Sequence, residues 1–225
     1  MSQPTFTGPV PASYYDHRYF ETGERSNWRN GYTWDEMCGI FAQLSRLLRR
    51  LFPEARTYLD VGCAKGFLVR SLRELGLEAW GFDHSEWAIE HADPAARPYV
   101  TRAGVDDFEF PRTYDVLVAT EVFEHLTEDQ VRRFLDRARR YTLQALFATI
   151  PSFDSAAEAS RYDPSQETDR SHVTLRERSW WRELFLETGW TRPGWAQKLD
   201  LDCSRDAFVR HMGWKVYIYA PQPHP

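Results

Sequence analysis

Two aspartates and a run of small residues carry the first chemistry legible in this chain. Asp60 lies in a short apolar run with Tyr58, Leu59 and Val61, which stops at Gly62-Cys63-Ala64-Lys65-Gly66. Asp83 ends a second run after Gly81 and Phe82. A small-residue bend that opens into a helix lets backbone N–H groups and the helix N-terminus approach a ligand closely. An acid at the end of the following strand is placed to accept hydrogen bonds from a ribose diol. Together they form the first half of a nucleotide-binding βαβ unit. A second reactive group, Glu121, Glu124 and His125, follows the continuous apolar run Tyr114 to Thr120, and His172 stands further on. Carboxylates and imidazoles so grouped suit removal of a proton from a hydroxyl or an ammonium.

Positioning these groups takes alternating strands and helices. Trp34 to Leu51 reads as an amphipathic helix with Trp34, Met37, Phe41, Leu44, Leu48 and Leu51 on one face. Leu68, Leu72 and Leu75 mark the helix after the bend, closed by Gly76. Ser85 caps a short helix ending near Ala92, and a third strand falls near Tyr99 to Arg102. Tyr114 to Thr120 is apolar on both sides, as a strand buried on two faces should be. Thr127 with Gln130 predicts a capping box and a helix to about Tyr141; Leu143 to Ile150 is the fifth strand, stopped by Pro151. Residues 152–172 are polar and aperiodic, a loop long enough to be functional. Thr174 with Glu177 predicts another capped helix reaching Gly189. The final strands are expected at about 194–201 and 213–220 with a short helix between them. This alternation implies an α/β fold, a parallel sheet with helices on both faces.

The spacing around the bend decides which nucleotide is expected. A dinucleotide fingerprint would place its three glycines at Gly62, Ala64 and Phe67, and phenylalanine at the third position speaks against a pyrophosphate. The pattern Asp-x-Gly-x-Gly-x-Gly fits instead as Asp60, Gly62, Ala64 and Gly66, with alanine in place of the middle glycine. This resembles motif I of class I S-adenosylmethionine-dependent methyltransferases. Gly81-Phe-Asp-His-Ser85 resembles that family's second strand end, Tyr114 to Thr120 its fourth strand, and Glu121-Val-Phe-Glu-His-Leu126 the segment after it. The resemblance implies a Rossmann-like, doubly wound sheet of seven strands in the order 3-2-1-4-5-7-6, the last antiparallel. It implies S-adenosylmethionine as cofactor, with Asp60 pairing the ammonium. The amides of Gly62, Cys63, Ala64, Gly66 and Phe67 would receive the carboxylate, and Asp83, followed by His84 and Ser85, the ribose. The backbone of Val105 or Asp106 would meet the adenine, flanked by His84 and Phe108, while Thr120, Glu121 and Val122 complete the wall. Glu124, His125 and His172 are the expected catalytic groups. Glu-x-x-Glu-His further resembles the metal-binding segment of ubiquinone-biosynthesis O-methyltransferases and of small-RNA 2′-O-methyltransferases. By that resemblance Glu121, Glu124, His125 and His172 form a candidate site for Mg²⁺ or Zn²⁺, which would lower the pKa of an acceptor oxygen.

Composition bounds the rest. The 225 residues suit one domain, here 1–225, with residues 1–33 as an irregular N-terminal extension containing Pro4, Pro9, Pro11 and the aromatic cluster Tyr14 to Phe20. That extension is expected to be mobile or draped, closing with the 152–172 loop over cofactor and acceptor. No apolar run approaches the ~18 residues of a membrane span. The start lacks a signal-peptide pattern, and three scattered cysteines (Cys38, Cys63, Cys203) fit a reducing cytoplasm. A net charge of −5 argues against a nucleic-acid partner, and the arginines at 132, 133, 137, 139 and 140 read as a solvated helix face. The expected activity is methyl transfer to a small-molecule acceptor, with oxygen favoured, by a monomer or homodimer. The alternatives are an N- or C-methyltransferase of a natural-product pathway, a metal-dependent RNA 2′-O-methyltransferase, a non-catalytic cofactor-binding module, and a nicotinamide-dependent oxidoreductase, the last opposed by Phe67.

Overall fold

The computed structural model describes residues 6–163 and 168–222. Parts of the expected N-terminal cover (1–5) and of the expected loop (164–167) lie outside the described residues. A 3-10 turn (Ala12–Tyr14) and helix α1 (His17–Phe20) precede the long helix α2 (Trp34–Leu51). Then follow β1 (Thr57–Val61), α3 (Phe67–Glu74), β2 (Glu78–Asp83), α4 (Glu86–Glu90), β3 (Val100–Arg102) and β4 (Tyr114–Thr120). A turn at Phe123–His125 leads into α5 (Glu128–Ala138) and β5 (Thr142–Thr149). The remainder is β6 (Ser152–Phe153), α6 (Ala156–Ala159), β7 (Arg176–Glu177), α7 (Arg178–Glu187), β8 (Trp190–Thr191), α8 (Gly194–Arg205), α9 (Ala207–Met212) and β9 (Val216–Pro221).

Seven of these strands form one sheet in the order β3-β2-β1-β4-β5-β9-β8. β1 to β5 run parallel, and β9 is antiparallel to both β5 and β8. This is the 3-2-1-4-5-7-6 order with an antiparallel last strand that the resemblance implied. Successive residues of each central strand feed opposite layers. Tyr58, Val116, Val118 and Phe147 pack with α2 and α3, while Leu59, Leu117 and Leu146 pack with α5 and α7. Both faces are therefore covered, which is why β4 reads as continuously apolar. The capping box at Thr127 and Gln130 is present and opens α5 as its spacing predicts.

Three expectations are corrected. The sixth strand of the sheet is not at 194–201 but at the two residues of β8. Residues 194–201 belong to α8, whose buried Ala196, Asp200 and Cys203 recur at helical spacing. Thr174 does not cap α7: its hydroxyl donates to the Leu126 carbonyl at 2.6 Å, and Glu177 precedes the helix without a side-chain cap. The stretch 152–172 is not a structureless loop among its described residues, since β6 pairs with β7 and α6 follows it. The N-terminal segment is draped against the layer of α2 and α3, with Tyr14, Tyr15, Tyr19, Phe20 and Tyr32 all buried.

Candidate active site

The carboxyl ends of β1, β2 and β4 face a cavity of about 450 Å³. This is the side of an open α/β sheet on which ligands bind, at the switch point between β1 and β4. The bend after β1 is tied to β2 through the backbone: the Gly62 and Cys63 amides donate to the Phe82 carbonyl at 2.9 and 3.0 Å. Gly62 and Gly66 both have positive φ, 70° and 77°. At Gly62 a Cβ would also lie 2.7 Å from Val122, so β1 and the β4 segment close on each other only because that side chain is absent. Ala64 occupies the same left-handed region at φ 47°, and across the cavity Glu121 does so at φ 55°. These are the two non-glycine residues with positive φ among the described residues, and both line the cavity.

Asp83 receives the Ala64 amide on one carboxylate oxygen and the Ser85 amide on the other, each at 2.8 Å. Each oxygen keeps a lone pair for a ribose hydroxyl. Burial, then the neighbouring Asp83, push the Asp60 carboxyl well above the usual carboxylate range. A cationic group beside Asp60 would reverse that shift. After β3, both oxygens of Asp106 are engaged by α5, at 3.1 Å from Gln130 and 3.0 Å from Arg133. Arg137 donates to the carbonyls of Val105, Asp106 and Phe108. The arginine-rich face of α5 is thus ion-paired and clamps the loop after β3.

Beyond β4, Glu121 accepts from the Thr149 hydroxyl at 2.7 Å. Glu124 is fully buried with neither carboxylate oxygen hydrogen-bonded, and burial, then Glu121, raise its carboxyl well above the ordinary range. The Glu124 carbonyl accepts from the Val173 and Thr174 amides, both at 2.9 Å, which seats His172 beside His125 with ring centroids 4.8 Å apart. Burial lowers His125 to about 4, so its imidazole is neutral at physiological pH. Ligand atoms of Glu124, His125 and His172 lie within 4.8 Å of one another; Glu121 is outside that group.

The structure gathers Asp60, Gly62, Cys63, Ala64, Asp83, His84, Val105, Asp106, Thr120, Glu121, Val122, His125 and His172 around the cavity. Gly66, Phe67 and Ser85 stand behind it. Phe67 stacks on Tyr32 at 5.0 Å, and the Ser85 hydroxyl donates to the Tyr15 carbonyl at 2.7 Å while accepting the Ala88 amide of α4. Glu124 lies beneath the wall. Sequence reasoning missed Asp169 and Ser171, which sit in an aperiodic polar stretch and carry no local signal. It also missed Met37 and Phe41, read as core helix positions, and Met212 and Trp214 near the C-terminus; all four line the cavity.

The lining holds no lysine or arginine among the described residues, although arginine is abundant elsewhere in the chain. A pyrophosphate or a nucleic-acid backbone would find no counter-charge among these residues, whereas a cationic group would find the Asp60 carboxyl. No helix among the described residues is long and apolar enough to cross a membrane.

Residues 37–192 match the family model of a methyltransferase domain. The mitochondrial ubiquinone biosynthesis O-methyltransferase of Schizosaccharomyces pombe is 38% identical over 85 residues, covering 34% of this chain and 30% of that protein. The ubiquinone biosynthesis O-methyltransferase of Rhodopseudomonas palustris is 32% identical over 108 residues, 46% of this chain and 41% of that protein. The matched stretches therefore span less than half the length of these relatives. A TehB-like SAM-dependent methyltransferase from Corynebacterium glutamicum superposes with a TM-score of 0.58 at 18% identity, over 84% of this chain and 94% of that one. That likeness concerns the fold. With most of its length inside the methyltransferase model and its sheet wound in the expected order, the chain belongs to the methyltransferase-domain family.

Proposed function

We propose that the protein methylates an oxygen of an uncharged, largely apolar small molecule. The observation that carries this reading is the composition of the cavity wall. Met37, Ile40, Phe41, Met212 and Trp214 offer an apolar annex, and among the described residues the lining supplies no lysine or arginine to hold a phosphate or carboxylate. The similarity to ubiquinone biosynthesis O-methyltransferases supports oxygen as the acceptor atom.

When bound, S-adenosylmethionine supplies an electrophilic methyl group on a cationic sulfonium. The residues that would hold it are Asp60 at the ammonium, the bend amides at the carboxylate, Asp83 at the ribose and the Val105–Asp106 backbone at the adenine. His125 is the base of this proposal. Its imidazole is unprotonated at neutral pH, and the buried Glu124 carboxyl lies beside it, with Oε1 3.7 Å from Nε2. The buried aromatic cover excludes water, which strengthens every electrostatic interaction within. The unpartnered carboxylate of Glu124 beside two imidazoles favours a second reading, a divalent cation held by Glu124, His125 and His172. The three free cysteines, two of them buried, support a reducing compartment.

The test is transfer of labelled methyl groups to a panel of phenols, alcohols and amines, run after chelation and again with Mg²⁺ or Zn²⁺ restored. Incorporation at a hydroxyl oxygen is expected, and His125→Gln should lower kcat about 100-fold or more. Label found only on nitrogen or carbon would overturn the oxygen assignment. Activity lost on chelation and regained with one metal would establish the second reading.

A further inference from the structure

We propose that Ser171 and Asp169 are positioning residues that fix the tautomer of His125, placing its proton on Nδ1 and leaving Nε2 as the nitrogen that accepts. The inference rests on the reading of His125 as the base, and it is carried by a hydrogen-bond chain. Ser171 Oγ lies 2.8 Å from His125 Nδ1 and donates to Asp169 Oδ1. The Ser171 amide donates to the same carboxylate oxygen at 2.9 Å, and the Tyr19 hydroxyl donates to Asp169 Oδ2 at 2.7 Å. Both Ser171 and Asp169 are buried, so no bulk water competes for these bonds.

Proton counting fixes the direction of the chain. A serine hydroxyl has one proton, and a carboxylate has none to give. The close contact of Ser171 Oγ with Asp169 Oδ1 therefore commits the serine proton to the carboxylate. Ser171 can then only accept from its other neighbours. His125 Nδ1 must therefore donate to it. With the proton held on Nδ1 by this hydrogen bond, Nε2 is the ring nitrogen left to accept. A buried carboxylate acting on an imidazole tautomer in this way contributes to catalysis without touching the substrate. Tyr19 comes from the N-terminal segment, Asp169 and Ser171 from the stretch before β7, and His125 from the turn after β4. The chain therefore exists only when all three are in place.

The experiment combines ¹⁵N NMR of imidazole nitrogens with steady-state kinetics on the full chain. In the wild type, His125 Nδ1 should resonate as a protonated, pyrrole-type nitrogen and Nε2 as an unprotonated, pyridine-type one, assigned by the signal missing from His125→Gln. Ser171→Ala should move both resonances toward averaged or reversed values. It should also lower kcat about 10- to 100-fold with the KM for S-adenosylmethionine within twofold of wild type. Ser171→Thr, which keeps the hydroxyl, should restore both. The wild-type spectrum needs no variant to fold: a proton on Nε2 there, or an unchanged tautomer in a folded Ser171→Ala, overturns the proposal. Full activity in His125→Gln would instead remove the base reading, an outcome the tautomer spectrum does not share.

Discussion

Asp60 is buried at the end of β1 with its carboxyl pushed above the ordinary range by desolvation and by Asp83. Without a cationic neighbour a raised carboxyl favours its proton. Its contribution to stability is therefore fully present below the unfolded-state value near 4 and is lost as pH rises through the folded-state value. A cationic ligand reverses the preference, so binding must release that proton. Cofactor affinity should rise with pH, by up to about tenfold per unit, across the window between the bound and free values. Calorimetry in buffers of different ionisation enthalpy should detect the released proton. Asp60→Asn should weaken binding about 10- to 100-fold and abolish both the release and its pH dependence. Binding that is independent of pH in the wild type would remove Asp60 from the cofactor site.

At the level of elements, the site is made where strands end. The bend between β1 and α3 stores strain at Ala64, held at φ 47° where an L residue is disfavoured by roughly 1–2 kcal/mol. Its amide is fixed on Asp83 at 2.8 Å, so the conformation is imposed by the strand beyond. Ala64→Gly should relieve the strain, partly offset by the greater unfolded-state freedom of glycine, for a net gain of about 0.5–1 kcal/mol. For a chain of this length that corresponds to a rise in Tm of about 1–4 °C by calorimetry. A fall in Tm would mean that the alanine methyl contributes packing that outweighs the strain. Glu121 at φ 55° mirrors this feature on the β4 side. Strained backbone thus faces the cavity from the two central strands, the usual location of such residues at functional sites.

Over the whole molecule, two segments far apart in sequence meet above the cavity. Tyr15 lies between His84 and His125, with ring centroids at 5.0 and 5.9 Å, and Tyr19 bonds Asp169. This arrangement motivates the proposal that the N-terminal segment and the stretch around residues 168–172 act as a cover that closes on cofactor. S-adenosylhomocysteine should slow limited proteolysis within residues 6–33 and 168–172. Tyr19→Phe, which leaves one buried carboxylate oxygen without its donor, should speed cutting in both segments together. Cutting in both that ligand and substitution leave unchanged would count against a cover.

The sequence by itself determined the layered α/β fold, the bend, and the pairing of Asp60 and Asp83 with the β4 segment. These depend on local periodicity and on acids at fixed offsets from strand ends, which neighbouring residues reveal. It misplaced the sixth strand, because β8 is two residues long and α8 begins directly after Pro193. It also misread Thr174 as a cap, because capping-box spacing says nothing of a carbonyl 48 residues away. Only the tertiary structure decided which polar groups meet around His125. Tyr19 and its partner Asp169 stand 150 residues apart, and Asp169 and Ser171 lie on a stretch without helical or strand period. Contacts between such segments are set by packing against the finished sheet, and no pattern along the chain encodes them.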